Sequence, residues 1–230
     1  MASERNWVGA AGGIILLMAA ADGVQGKTAQ FPSMAPPDQY MIADRSAEIA
    51  LARSAAPASV SKDADVIVLG AHGYESAVKG TNGFVCLVER SWDSGFDHPE
   101  FWNPKIRGPI CMNAAAARTV LPADLERAQW ALSGLSLADM RTRAKTSPKA
   151  NMIPASGAMS FMLSKQGYLS GADGHWHPHI MFFQAGAKAA DWGANLKGSP
   201  VLALEGNPLT WYFIPVAKWS DGTPADMSGH

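Results

Sequence analysis

Charge is scarce in this sequence. Lys, Arg, Asp and Glu make up 17% of the 230 residues, and 19 basic against 20 acidic side chains leave a formal net charge of -1. With no long Lys/Arg tract to override that balance, there is no electrostatic reason to expect nucleic acid or an anionic membrane surface as partner. Internal repeats and heptad runs are absent, which excludes solenoids and coiled coils. So are the G-x-S-x-G elbow, the Walker loop, G-x-G-x-x-G, His-Glu-x-x-His and Cys-x-x-Cys, each of which would have carried a reaction with it. Ser59-Val60-Ser61-Lys62 matches S-x-x-K in form, without the companion motifs of the penicillin-recognising enzymes.

What the chain does have is apolar material. At 47% hydrophobic over 230 residues it can bury one self-sufficient core and is short for two domains. At the N-terminus Arg5 precedes the apolar stretch Trp7 to Ala21, and polarity returns at Asp22, Gly23 and Gln25. Ala19 and Ala21 supply the small-x-small pattern of a signal-peptidase site, so residues 1–21 read as a signal peptide. The run is shorter than the roughly 20 apolar residues of a membrane span, so no integral membrane segment is expected once it is removed. Residues 22–36 read as a flexible lead-in, residues 37–220 as a single domain and residues 221–230 as a polar tail. Export to the periplasm or beyond would put Cys86 and Cys111, the two cysteines, where thiols become disulfides. Closing such a loop contributes about 3 kcal/mol on chain-entropy grounds. A pair of buried free thiols, or a reactive or metal-binding cysteine, is the alternative, although neither neighbourhood supplies a base or cation.

Periodicity separates the elements. Pro36-Pro37-Asp38 opens a helix with Tyr40, Ala43, Ala47, Ala50 and Leu51 at helical spacing, ended by Pro57. Val66 to Leu69 and Phe84 to Val88, with Thr81-Asn82-Gly83 between, read as a meander of two or three antiparallel strands over 64–92. An irregular, aromatic loop runs from there to Pro109, and Trp92, Phe96, Phe101 and Trp102 on it could wall a ligand or simply pack on the core. Two helices follow, from Pro122 to Gly134 and from Ser136 to Pro148, then strands at 158–163, 177–183, 201–204 and 210–216. Helices and strands are segregated, which predicts α+β with an antiparallel sheet in one domain.

The most chemically loaded run is His175-Trp176-His177-Pro178-His179. On a strand the three histidines share one face, neighbours lying about 7 Å apart, close enough for two imidazoles to hold one ion, while the outer pair at about 13 Å is too far apart. Pro178 removes a backbone donor and places the run at an edge or bulge. The expected site is His177 with His175 or His179, completed by one of His72, His98, Glu89, Asp93 or Glu100. Such a set suits a divalent metal, zinc ahead of copper. Zinc with an open position would activate water, with a carboxylate such as Glu89 as catalytic base. Met159, Met162 and Met181 would suit copper, but read more simply as core filling. The alternative for the histidines is a hydrogen-bonded strand end packed beside Trp176.

Ser160 to Gln166, His175 to Phe183 and Trp219-Ser220-Asp221-Gly222-Thr223 resemble a recurring set of exported bacterial proteins that share an H-W-H-P-H-[IL]-M-F segment. That resemblance implies an exported location and no particular activity. His177-Pro178-His179 before apolar residues is also similar to the His-x-His strand of lysostaphin-type zinc peptidases. Those enzymes add an upstream His-x-x-x-Asp, and the nearest segment here, His72-Gly73-Tyr74-Glu75, departs from that pattern. Together these readings predict an exported metal-binding protein with a small-molecule or cell-envelope ligand as partner, a zinc hydrolase in the first place; the alternatives are a metal-carrying or ligand-binding module without turnover and a purely structural envelope protein.

Overall fold

A computed structural model describes residues 31–168, 177–206 and 208–226. The expected signal peptide, the first part of the expected lead-in, His175 and Trp176 therefore lie outside the described residues. Eight strands form one sheet in the order β2-β1-β3-β4-β5-β6-β8-β7. They are β1 (Asp65–Gly70), β2 (Gly73–Val78), β3 (Val85–Glu89), β4 (Gly108–Met112), β5 (Met159–Met162), β6 (His179–Ala185), β7 (Leu202–Leu204) and β8 (Leu209–Pro215). All neighbours are antiparallel except β1 and β3. Five α-helices accompany them: α1 (Arg45–Arg53), α2 (Ala58–Ser61), α3 (Ala114–Thr119), α4 (Leu121–Leu132) and α5 (Leu137–Ala144). The α+β class follows, with helices and strands segregated as the periodicity predicts.

The parallel pair corrects the expected meander. Asn82-Gly83 does not turn between neighbouring antiparallel strands. It carries the chain from β2 across the start of β1, where Thr81 and Asp65 bond to Asp63 and Phe84, and β3 then pairs on the far side of β1. Gly80 makes the crossing, and a Cβ there would lie 2.2 Å from the Ala64 carbonyl carbon, so no other residue fits. Besides the one-turn α2, two elements escaped the period analysis. β4 is buried at every position, so it lacks the alternation that marks a half-exposed strand. α3 is a short alanine run announced only by its cap, Asn113, whose side chain accepts from Ala116 N. The first helix also starts later than expected, at its Asp44 cap, which accepts from Ser46 N.

The two sheet faces are covered differently. On one, α1 packs over β1, β3 and β4, enclosing Val66, Val68, Cys86, Val88 and Cys111. Cys86 and Cys111 sit directly opposite each other in the β3–β4 ladder and are joined by a disulfide. On the other, α3 and α4 cover Leu87, Ile110, Met112 and Met162. A third cluster gathers Tyr40, Trp92, Phe101, Trp102, Trp130 and Met140, with Phe31 and Met34 packed against it. The lead-in is thus part of the core from Phe31 onward, and the segment after Trp219 is tied back by a Lys165–Asp221 ion pair and by Ser220 N bonding to Leu163 O. Among the described residues no helix is long and apolar enough to cross a membrane.

Candidate functional site

Register decides which of the predicted site residues can meet. Glu89 pairs with Gly108, and His179 pairs with Met162, so both sit at the same end of the sheet. β4 and β5 stand between their strands. Three strand spacings separate β3 from β6 by about 14 Å, several times what one metal ion bridges. Glu89 is not brought to the histidines, which corrects its expected role as base to a metal-bound water there. His72 lies exposed in the β1–β2 turn, a further strand away at about 19 Å. His72-Gly73-Tyr74-Glu75, the nearest segment to the upstream motif of the zinc peptidases, is therefore not joined to the His-x-His strand. His98 lies in the loop between β3 and β4, where its Nδ1 accepts from the Glu100 backbone N–H at 3.2 Å. Glu100 itself is buried and accepts from the Asn103 side chain. Among the described residues no group of three His, Cys, Asp or Glu is arranged to hold a metal ion.

At the strand end His179 Nδ1 lies 2.9 Å from the His177 carbonyl, the tautomer with hydrogen on Nδ1 donating to it, and its ring meets Phe213 edge-on at 5.6 Å. Burial lowers its pKa, so the ring is neutral at pH 7. Met162 and Met181 belong to the core, and only Met159 of the three methionines is partly exposed. The aromatic loop behaves similarly: Trp92, Phe101 and Trp102 are buried and pack in the third cluster.

A different constellation surrounds Glu89. The strand ends there, and the chain turns at once through Ser91-Trp92-Asp93, with the Arg90 backbone N–H donating to Asp93 Oδ2 at 2.9 Å. α4 packs on this turn and brings Asp124 and Arg127. Burial is the main cause that pushes all three carboxyls up. It raises Glu89 well above its usual range, helped by the charges of Asp124 and Asp93; it raises Asp124 likewise, helped by Asp93. Asp93 is pushed up to about 7, with its bond from Arg90 and the Arg127 charge holding it back. The Tyr74 phenol, raised by burial and then by Asp93, donates to Val88 O at 2.7 Å.

No family model, curated protein or solved structure matches the chain. The site has to be read from its own geometry.

Arg127 clamps the turn: its Nη1 donates to Ser94 O at 2.8 Å and reaches Trp92 O at 3.3 Å, and its guanidinium lies 4.4 Å from the Phe96 ring centre. Six buried side-chain polar atoms lack a hydrogen-bond partner among the described residues. Four of them, Ser91 Oγ, Trp92 Nε1, Asp93 Oδ1 and Arg127 Nε, belong to this turn and its clamp. Buried polar groups are nearly always paired, with protein or with ordered water, so these four atoms are places where a water or a ligand group can bond. Asp124 and Arg127 did not stand out in the sequence, though a signal was there. Asp124 falls between Leu121 and Ala128 at helical spacing, a charge on a stripe that is otherwise buried.

Proposed function

We propose that this is an exported hydrolase whose proton transfers are run by Glu89 with Asp93 and Asp124. The observation that carries the reading is the convergence of three carboxyls, all driven toward the protonated form, on the turn where buried polar atoms go unpaired. Near neutral pH such a set holds a carboxylic acid able to protonate a leaving group beside a carboxylate able to take a proton from water. Arg127 limits the build-up of negative charge, and Tyr74 stays a hydrogen-bond donor. The substrate would be a small-molecule or cell-envelope ligand. Export is supported by the buried Cys86–Cys111 disulfide, which an oxidising compartment forms and the cytosol does not. The test is hydrolysis of chromogenic glycoside, ester and peptide substrates from pH 4 to 8 by wild type, Glu89→Gln and Asp124→Asn. One substrate class should be turned over, and each variant should be slower by about 10²–10⁴-fold. Turnover of no class by wild type, or equal turnover by variants whose circular dichroism is native, would sink the reading.

A second reading rests on the histidine strand. His179 Nδ1 lies 2.9 Å from the His177 carbonyl, a bond of the kind that orients metal-ligating histidines. On this reading the chain binds a divalent metal, zinc ahead of copper, at the end of β6, as a carrier without turnover. Metal content after zinc loading should be stoichiometric in wild type and fall at least tenfold in His179→Ala; metal-free wild type after loading would end this reading without touching the first.

A further inference from the structure

Among the described residues the sheet has eight strands, and its two edges are finished by different means. At β2 the guard is charged: Arg45 donates to Ser76 O at 3.0 Å and pairs with Glu75. Charge on an edge strand is an ordinary defence against pairing. At β7 the strand residues themselves carry no charge, and Glu205 just beyond them accepts from Ala189 N. Leu202 and Leu204 are 47% and 62% exposed, with exposed Leu196 and Trp192 nearby in the chain. An apolar edge of this kind is a template for another strand.

Alternation along an antiparallel strand fixes which groups that edge offers. In the register with β8, Leu202 and Leu204 face Phe213 and Trp211, and Ala203 faces Tyr212. Consecutive residues direct their N–H and C=O to opposite sides. Both backbone groups of Ala203 are taken by one side chain on the side away from β8. Ala203 N donates to Asn195 Oδ1 at 2.9 Å, and Asn195 Nδ2 donates to Ala203 O at 2.9 Å. Asn195 N adds a bond to Val201 O at 3.0 Å. The primary amide thus makes the pair of bonds that a neighbouring strand's peptide groups would make. Asn195 is also the one non-glycine residue at positive φ among the described residues, at 61°. Asparagine tolerates that conformation better than most residues, and here three hydrogen bonds hold it.

We infer that Asn195 is an edge plug, and that the ladder positions it fills are those a second copy of this chain would otherwise occupy through its own β7. The strand is self-complementary for that purpose. On a two-fold axis at Ala203, Leu202 of one copy falls opposite Leu204 of the other, joining the exposed leucines of both. The plug keeps the copies apart by satisfying the backbone.

The variant that tests this is Asn195→Gly, because glycine accepts a φ of 61° and removes only the amide. Light scattering on the full chain should give one copy for wild type and a doubled mass for Asn195→Gly in the range of tens to hundreds of micromolar. Adding Leu204→Lys to Asn195→Gly should restore the single copy. At low concentration the Ala203 amide should exchange hydrogen slowly in wild type and at least tenfold faster in Asn195→Gly. A single copy for Asn195→Gly across that range, or equally fast exchange of Ala203 in both proteins, would overturn the inference. So would a wild-type dimer that Leu204→Lys dissolves.

Discussion

The half of the sheet from β1 to β5 and the half from β6 to β8 are built on different terms. The first has α1 on one face and α3 and α4 on the other, a disulfide between its central strands, and a fully buried Arg90–Glu48 ion pair at 2.8 Å. The second has short-range aromatic packing, such as Trp192 stacked on Tyr212 at 4.3 Å, and leaves leucines in water. Titratable groups follow the same division. Acids crowd where packing is densest and are forced toward neutrality, while the described histidines of the run stand at the start of β6. Dense cover is what lets a fold hold three half-buried carboxyls close together, because the surrounding packing offsets their cost.

Removing one partner of the buried ion pair is the most severe way to break that contrast. Arg90 donates through Nε to Tyr40 O at 2.7 Å and through Nη1 to Val88 O, while Glu48 Oε1 accepts from Leu69 N at 3.1 Å as well as from Arg90. The pair therefore ties α1 and the segment before it to β1 and β3. Glu48→Ala would strand the guanidinium in the core, at a cost of about 3–5 kcal/mol. Denaturant unfolding should show that loss. Exposed Arg45 and Glu75, in the other ion pair that reaches the sheet, should cost under about 1 kcal/mol when either is cut to alanine. Equal losses from the two pairs would mean that burial is not what distinguishes them.

The same division explains what could be read in the sequence. α4, α5 and the strands from β5 onward carry regular periods with local punctuation, and Ser136, which accepts from Asp139 N, is a cap visible in the residues alone. β4 was hidden because burial on both faces erases the period. The parallel pairing of β1 with β3 was hidden because it is decided by where the chain crosses, at Gly80, and not by the turn residues Asn82-Gly83. The disulfide was legible from the count of cysteines. For the candidate site the sequence supplied Glu89 and Asp93 but linked them to the histidine run, from whose strand β4 and β5 separate Glu89. His72, Glu89 and His179 all reach one end of the sheet, and only strand order shows that they are spread along it. Asp124 and Arg127 come from a helix over 30 residues later, so their meeting with Glu89 is a tertiary fact.

A smaller and more discriminating effect is the pH dependence of stability, because the two halves should give slopes of opposite sign. Glu89, Asp93 and Asp124 have folded pKa values above their unfolded ones, so the native state holds extra protons from about pH 4 upward, to about 7 for Asp93. Unfolding free energy must then fall as pH rises through that window. His179 is shifted the other way, so below about pH 6.5 the unfolded chain binds the extra proton, and stability falls as pH drops. Thermal melts at intervals of half a pH unit separate the two. Asp124→Asn removes one like charge from the cluster; it should flatten the acid-side slope and gain about 1–2 kcal/mol at pH 7.5, a rise of roughly 2–8 °C for a chain of this size. His179→Gln should leave that slope intact and remove only the weaker opposing one. If Asp124→Asn melts at the wild-type temperature from pH 4 to 8, the carboxyls do not share a desolvated site, and the acid–base reading of Glu89 loses its physical basis.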